Sequence, residues 1–125
     1  MIEIQLDQTS ISVGDELSGS FIWQPTNNKN PRNAKISIRW YTEGRGSRDS
    51  QTVNQIKMDS ITISSSQGEP IPFGMEVPYQ SPITYNGSLL RVIWELEVRV
   101  GVSGMMPRND KQKIQFQVNP RVPRE

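Results

Sequence analysis

Apolar residues recur at every second position along most of this chain, which is the period of a β-strand and not of a helix. Each row alternates with polar residues, as expected for a strand that buries one face. The clearest rows are Ile2–Leu6, Ile11–Val13, Leu17–Trp23, Ile36–Trp40, Ile71–Val77, Val92–Val100 and Ile114–Val118. Separated by turn residues and without any amphipathic helix, these rows predict an all-β, antiparallel sandwich of about eight or nine strands.

The stretch from Val53 to Ser64 departs from this pattern, because its apolar residues change phase. Ile56 and Met58 fall on one face, whereas Ile61 and Ile63 fall on the opposite face. A turn or β-bulge near Asp59 would reconcile the two halves. We therefore expect two short strands in this stretch.

Polar segments rich in glycine, proline, asparagine and serine predict the connections between strands. They are residues 27–33, 43–50, 64–68, 77–88 and 101–113. A chain of 125 residues is expected to form one domain. We place that domain at residues 1–118 and expect residues 119–125, with two prolines, to form a linker or a disordered tail.

The chain contains neither cysteine nor histidine. Disulfides, thiolate nucleophiles and thiolate metal sites are therefore excluded, as are histidine bases and histidine-bound zinc. The aspartates also lack the dense spacing of oxygen ligands found in calcium-binding loops. We expect no catalytic residues, no metal and no cofactor, and hence a protein that is not an enzyme.

The charge of the chain is almost balanced, with 14 basic and 13 acidic residues. A dedicated nucleic-acid-binding protein is usually more basic, so we expect no nucleic-acid partner. The first residues do not resemble a secretory signal, and no apolar run approaches the about 18 residues that a transmembrane helix needs. These features predict a cytoplasmic protein without a transmembrane segment, and they leave peripheral association with a membrane open.

Two glutamates, Glu95 and Glu97, lie two positions apart on one strand and therefore on the same face. Paired carboxylates can perform acid–base catalysis. Here Arg91 and Arg99 flank them in the same row. This pattern favours a solvated sheet face with charge pairs between strands.

The three tryptophans, Trp23, Trp40 and Trp94, each lie in phase with the aliphatic residues of their own strand. A platform that stacks on sugar rings would need them on the outward face. The spacing instead predicts that all three belong to the core.

Several segments together resemble the arrestin-like superfamily. In Ser12–Ile22 a glycine turn, an apolar residue and a second glycine open a long strand. In Ile71–Pro78 a strand ends in proline; a loop with proline, glycine and serine follows over Ser81–Ser88, and a long strand containing a tryptophan follows at Val92–Val98. The same order of elements is found in arrestins, retromer-subunit-like proteins and bacterial sporulation-control-like proteins.

This resemblance implies an immunoglobulin-like, arrestin-type sandwich that acts as a non-catalytic adaptor or scaffold and binds protein partners. Arrestins have two such domains, whereas this chain has room for one. A second domain would be supplied by another protein or by a homodimer that forms through sheet edges, since an unpaired edge can accept a strand.

An alternative function is a ligand-binding β-sandwich for carbohydrate or a polyanion. Its binding surface would combine Arg39 and Tyr41 on one outward face with Arg45 and Arg48 in the loop that follows. Arginines suit anionic ligands, and a tyrosine can stack on a ring. The four residues are therefore the candidate binding surface.

Overall fold

The computed structural model describes residues 2–24, 30–45, 48–65, 68–102 and 108–121. Within these ranges the chain forms nine strands and one short helix. In chain order they are β1 (Ile2–Leu6), β2 (Ser10–Ser12), β3 (Glu16–Trp23), β4 (Pro31–Gly44), β5 (Ser50–Asp59), α1 (Ser60–Ser65), β6 (Ile71–Glu76), β7 (Tyr85–Asn86), β8 (Leu90–Val102) and β9 (Arg108–Asn119).

The strands form two sheets. The small sheet has the order β1-β3-β6, and the large sheet has the order β2-β9-β8-β4-β5, with β7 beside β8. All pairings are antiparallel except that of β2 with β9, which is parallel. The prediction of an all-β sandwich is confirmed.

The core lies between the two sheets and follows the period of two. Strand β8 turns Trp94, Leu96 and Val98 inward, and all three are fully buried. From the small sheet, Leu17 and Phe21 of β3 are fully buried in the same hydrophobic cluster. Full burial of side chains of this size stabilises a fold by about 1.5–3 kcal/mol each, so these inward rows account for the association of the sheets.

The tryptophans belong to the core, as the sequence predicts. Trp94 is fully buried and Trp23 is 7 % exposed, whereas Trp40 is half-buried against the same cluster. The indole nitrogens of the first two donate hydrogen bonds, from Trp94 to the carbonyl of Pro82 at 2.9 Å and from Trp23 to Asp110 at 3.1 Å. Each bond satisfies a polar group that would otherwise be costly to bury.

The glycine turn before β3 has a clear physical basis. Gly14 has a φ of 86°, which is the left-handed region that favours glycine. The amide of Asp15 donates to the carbonyl of Ser12 and closes the turn. Five residues later, a Cβ on Gly19 would lie 2.4 Å from the carbonyl oxygen of Gln5, so no side chain fits between β3 and β1 there.

The predicted second strand between Val53 and Ser64 is wrong, because β5 ends at Asp59 and the helix α1 follows. The alternation of a strand does not continue into a helix, so the apolar residues after Asp59 need not keep the phase of β5. Residues two apart on a helix point to nearly opposite sides. Ile63 is 2 % exposed, whereas Ile61 is 75 % exposed. The register between β4 and β5 is regular up to Asp59, and it shifts instead after Ile38.

Asp59 caps the first turn of this helix. Its carboxylate accepts hydrogen bonds from the backbone amide of Thr62 at 2.9 Å and from the hydroxyl of the same residue at 2.8 Å. These bonds, that of the backbone amide first, hold the pKa of Asp59 below its ordinary value of 3.8. An aspartate in this position is a preferred N-cap, and it fixes the point at which strand gives way to helix.

Several predicted loops are shorter than expected. Strand β4 already begins at Pro31, and β8 extends to Val102. Strand β9 begins at Arg108, well before the expected end of the loop at residue 113. Backbone pairing between the strands continues through these polar residues. The strands are therefore longer than the stretches of alternating apolar residues from which they were predicted.

The predicted tail begins at the end of β9. Arg121 donates to the carbonyl of Val13 at 3.1 Å and forms an ion pair with Asp15, so the described chain returns to the glycine turn at this point. Residues 122–125 lie outside the described residues. The domain boundary at residue 118 stays a prediction.

Candidate functional site

Three of the four candidate binding residues lie together at one end of the large sheet. Arg39, Tyr41 and Arg48 line one open depression, which also contains Glu43 and Asp49. The depression thus holds two arginines and two carboxylates. Its charge is balanced, which does not favour a polyanion over other ligands.

Arg39 is already engaged within the protein. Its Nε donates to Glu95 Oε1 at 2.6 Å, and its guanidinium lies 5.4 Å from the centre of the Tyr41 ring. Both contacts hold the side chain along the sheet. A ligand at this position would meet an arginine whose charge is largely neutralised.

Arg45 follows the end of β4 and is exposed, and its backbone amide donates to the carbonyl of Leu89 at 3.2 Å. Arg45 does not line the depression that contains the other three residues. The role of Arg39, Tyr41, Arg45 and Arg48 as a binding surface stays a prediction.

The two glutamates of β8 lie on the outer face of the large sheet, but this face is less solvated than predicted. Glu95 is only 5 % exposed, because the long side chains of Arg39 and Lys113 on the flanking strands contact it. Lys113 Nζ lies 3.7 Å from Glu95 and 3.8 Å from Glu97. The expected charge pairs between strands are confirmed, whereas the expectation of a solvated face is wrong for Glu95.

The arginines that flank these glutamates have separate partners. Arg99 lies 3.2 Å from Glu97, and Arg91 lies 3.5 Å from Glu43 on the neighbouring strand. Both glutamates of β8 are therefore occupied by cations. Neither is arranged as a free acid or base facing a cleft.

Sequence reasoning missed a group of exposed apolar side chains that lie close together in the chain. Among the described residues, six large hydrophobic side chains are exposed, and five of them lie between positions 79 and 90. We call these five residues the apolar segment: Tyr79, Ile83, Tyr85, Leu89 and Leu90. The available signal was the number of large apolar residues in a stretch predicted to be a loop.

The backbone of the apolar segment is held against the large sheet. Thr84 exchanges two hydrogen bonds with Val118 of β9, each 2.8 Å long. The carbonyl of Pro82 accepts from the Trp94 indole, and that of Leu89 accepts from the Arg45 amide. The exposed apolar side chains are thus presented on a fixed backbone, which reduces the entropy lost when a partner binds.

In the part of the chain that the structure describes, no cluster of three or more acidic side chains is positioned to hold a metal ion. Within the same ranges, no helix is long and apolar enough to cross a membrane.

Comparison with known proteins identifies the fold. The chain superimposes on the crystal structure of Spo0M, a sporulation control protein from Bacillus subtilis, with a TM-score of 0.66. The chain has the arrestin-type fold. The match covers 96 % of this chain and 49 % of Spo0M, at 14 % sequence identity.

The expected resemblance is confirmed at the level of fold. No family model and no curated protein matches the sequence. The chain spans about half the length of the Spo0M chain that it matches.

Proposed function

We propose that this protein is a non-catalytic adaptor or scaffold module that binds a protein partner through the apolar segment. One observation carries the proposal: five of the six exposed large hydrophobic side chains within the described residues are concentrated in one short stretch. Single exposed apolar residues are normal on soluble proteins, whereas a group of them marks an interaction surface.

The composition and support of the apolar segment fit a protein interface. Tyr79 and Leu89 are 63 % and 67 % exposed, and Tyr85 is 55 % exposed. Tyrosine is enriched among the residues that contribute most to binding, because it combines a large apolar area with a polar group. Covering a side chain of this size contributes up to about 1.5–3 kcal/mol, part of which offsets the entropy that the partners lose on association.

The fold also supports a partner that is itself a β-sandwich. This chain covers about half of the Spo0M chain, so a second domain supplied in trans is one proposed partner. A second copy of this chain is another, through a sheet edge. In the described sheets, β1, β6, β2 and β5 are edge strands that have one neighbour each, and such edges can add a strand.

A role without catalysis is supported by the state of the carboxylates on β8. Glu95 and Glu97 both lie within 4 Å of cationic side chains, and Glu95 is nearly buried. The proposal includes a cytoplasmic location, as predicted from the sequence.

The proposal is tested by replacing exposed apolar side chains, either within the apolar segment or outside it. The first variant combines Tyr79→Ser with Leu89→Ser. The control is Ile61→Ser, because among the described residues Ile61 is the exposed large hydrophobic residue outside the apolar segment, and it is 75 % exposed. Both variants should unfold in urea at concentrations close to that of the wild type.

The readouts are the native mass of the purified protein and the set of proteins that it retains from the cells in which it is expressed. We expect the double variant to lose the partner that binds through the apolar segment, and Ile61→Ser to keep it. Equal retention by both variants would contradict the proposal, as would a wild-type monomer that retains no protein.

A further inference from the structure

A row of basic residues crosses the outer face of the large sheet. Lys57 of β5 pairs in register with Lys35 of β4, Lys35 pairs with Arg99 of β8, and Arg99 pairs with Lys111 of β9. Residues in register on one face have neighbouring side chains, with strands about 4.8 Å apart. Like charges in such positions repel and lower stability.

The charges of this basic row are mostly uncompensated. Lys35, Lys57 and Lys111 form no salt bridge with any described residue. Arg99 has one carboxylate partner, Glu97, which also faces Lys113. Asp59 lies in register with Asn33 and accepts hydrogen bonds from Thr62 of α1, and it forms no salt bridge with Lys57 or Lys35.

Part of the basic row surrounds an open depression of about 340 Å³. Its lining includes Lys35, Lys57 and Arg99 together with the amide side chains of Asn33 and Asn109. Arg99 Nε is buried and has no hydrogen-bond partner. An unsatisfied buried donor on a cation lowers stability.

Gly101 lies beside this depression. It lies in register between Asn33 of β4 and Asn109 of β9. A Cβ at Gly101 would lie 2.6 Å from Asn33 Oδ1 and 3.6 Å from an Arg32 guanidinium nitrogen. A larger residue would therefore displace the Asn33 side chain, which lines the depression.

We propose that this depression binds a compact, multiply charged phosphate group. Several cations and two amides converge on one small volume, and arginine and lysine together are well suited to phosphate oxygens. The residues that line the depression include no aromatic side chain. A single-stranded nucleic acid would need exposed aromatic rings on which its bases stack, so an isolated phosphate group fits better.

The probe for a free phosphate group is sodium pyrophosphate, titrated at low ionic strength into the wild-type protein and followed by calorimetry. The probe for a lipid-borne group is a phosphatidylcholine vesicle that contains phosphatidylinositol phosphate, with phosphatidylserine vesicles as the anionic comparison. Binding to either probe identifies the source of the phosphate.

The variants are Lys35→Gln, Lys57→Gln and Gly101→Ala, with Arg91→Gln as the control. Arg91→Gln removes one positive charge from a half-exposed position outside the depression. We expect each lysine variant to weaken binding by about tenfold or more, since a charge-assisted hydrogen bond is lost. Gly101→Ala should weaken it without any change in charge.

Binding that is lost in the depression variants and kept in Arg91→Gln supports the proposal, for whichever phosphate probe binds. Equal weakening by Arg91→Gln would overturn it in favour of diffuse charge attraction. Failure of both phosphate probes to bind would overturn it, as would tighter binding of a single-stranded oligonucleotide than of pyrophosphate.

Discussion

The outer face of the large sheet has two halves with different arrangements of charge. In the first half, Arg39 and Lys113 flank Glu95 and Glu97, so that cations and carboxylates alternate across the strands. In the other half, the basic row places cations in register with cations across four strands. The same strands form both halves, so the difference lies in which side chains meet and not in the backbone.

This comparison separates a surface that stabilises the fold from one that lowers stability when empty. Opposite charges on neighbouring strands contribute to stability, whereas like charges reduce it. A row that lowers stability is a candidate for binding, because natural proteins retain such features where a ligand offsets them.

The largest expected effect comes from removing the central carboxylate of the charge-paired half. Glu95→Gln should destabilise the protein by about 2 kcal/mol, since it leaves Arg39 and Lys113 beside a nearly buried neutral side chain. Urea unfolding measures the change. The matched control is Glu43→Gln, whose pair with Arg91 is half-exposed and 3.5 Å long, and which should cost less than about 0.5 kcal/mol. Equal effects of the two substitutions would contradict a larger contribution of Glu95 to stability than of Glu43.

A smaller effect of opposite sign is expected in the basic row. Lys35→Gln should stabilise the protein by about 0.5 kcal/mol, because it removes repulsion from both Lys57 and Arg99. Lys113→Gln removes the same charge from the other half and should destabilise the protein, because Lys113 faces two carboxylates. If Lys35→Gln also destabilises the protein in urea, the row is not under electrostatic strain.

Salt should reduce the difference between Lys35→Gln and the wild type. Repulsion between exposed cations is screened over about 10 Å at 0.1 M salt, so the gain from the substitution should shrink as sodium chloride is added. Thermal midpoints of both proteins across a series of salt concentrations measure this. A gain that does not depend on salt would mean that the substitution acts through packing.

The smallest expected effect is the pH dependence of the helix cap at the edge of the basic row. The folded pKa of Asp59 is lowered, so its contribution to stability is present above the unfolded pKa, near 3.8, and is lost as pH falls through the folded pKa. Asp59→Asn keeps a capping side chain but removes the titration. We expect the difference in stability between wild type and variant to shrink below about pH 4. A difference that stays constant with pH would contradict the role of the Asp59 carboxylate.

The alternation along each strand predicts which residues face inward, and therefore the sandwich and its core. It also places Lys35, Lys57 and Arg99 on outward faces. It does not predict that they meet, because that depends on the register between strands that are far apart in the chain. A slip by one residue would turn each strand over, and a slip by two would bring other charges together.

Local features that the sequence obscures have similar explanations. The helix α1 has six residues, too few for its period to be distinguished from a strand. The burial of Glu95 depends on Arg39 and Lys113, which come from other strands. The apolar segment lies outside any regular alternation, and its exposure depends on how its backbone is bonded to β8 and β9.

The most direct test of the proposed phosphate site is a comparison of the thermal midpoints of the wild type and Lys35→Gln. Both are measured with and without pyrophosphate at matched ionic strength. Without pyrophosphate, Lys35→Gln should unfold at the higher temperature. At about 100 times the dissociation constant, pyrophosphate should stabilise the wild type by about 2.7 kcal/mol, which exceeds the gain from the substitution and reverses the order. A variant that is less stable in the absence of pyrophosphate, or equal stabilisation of both proteins, would contradict the account.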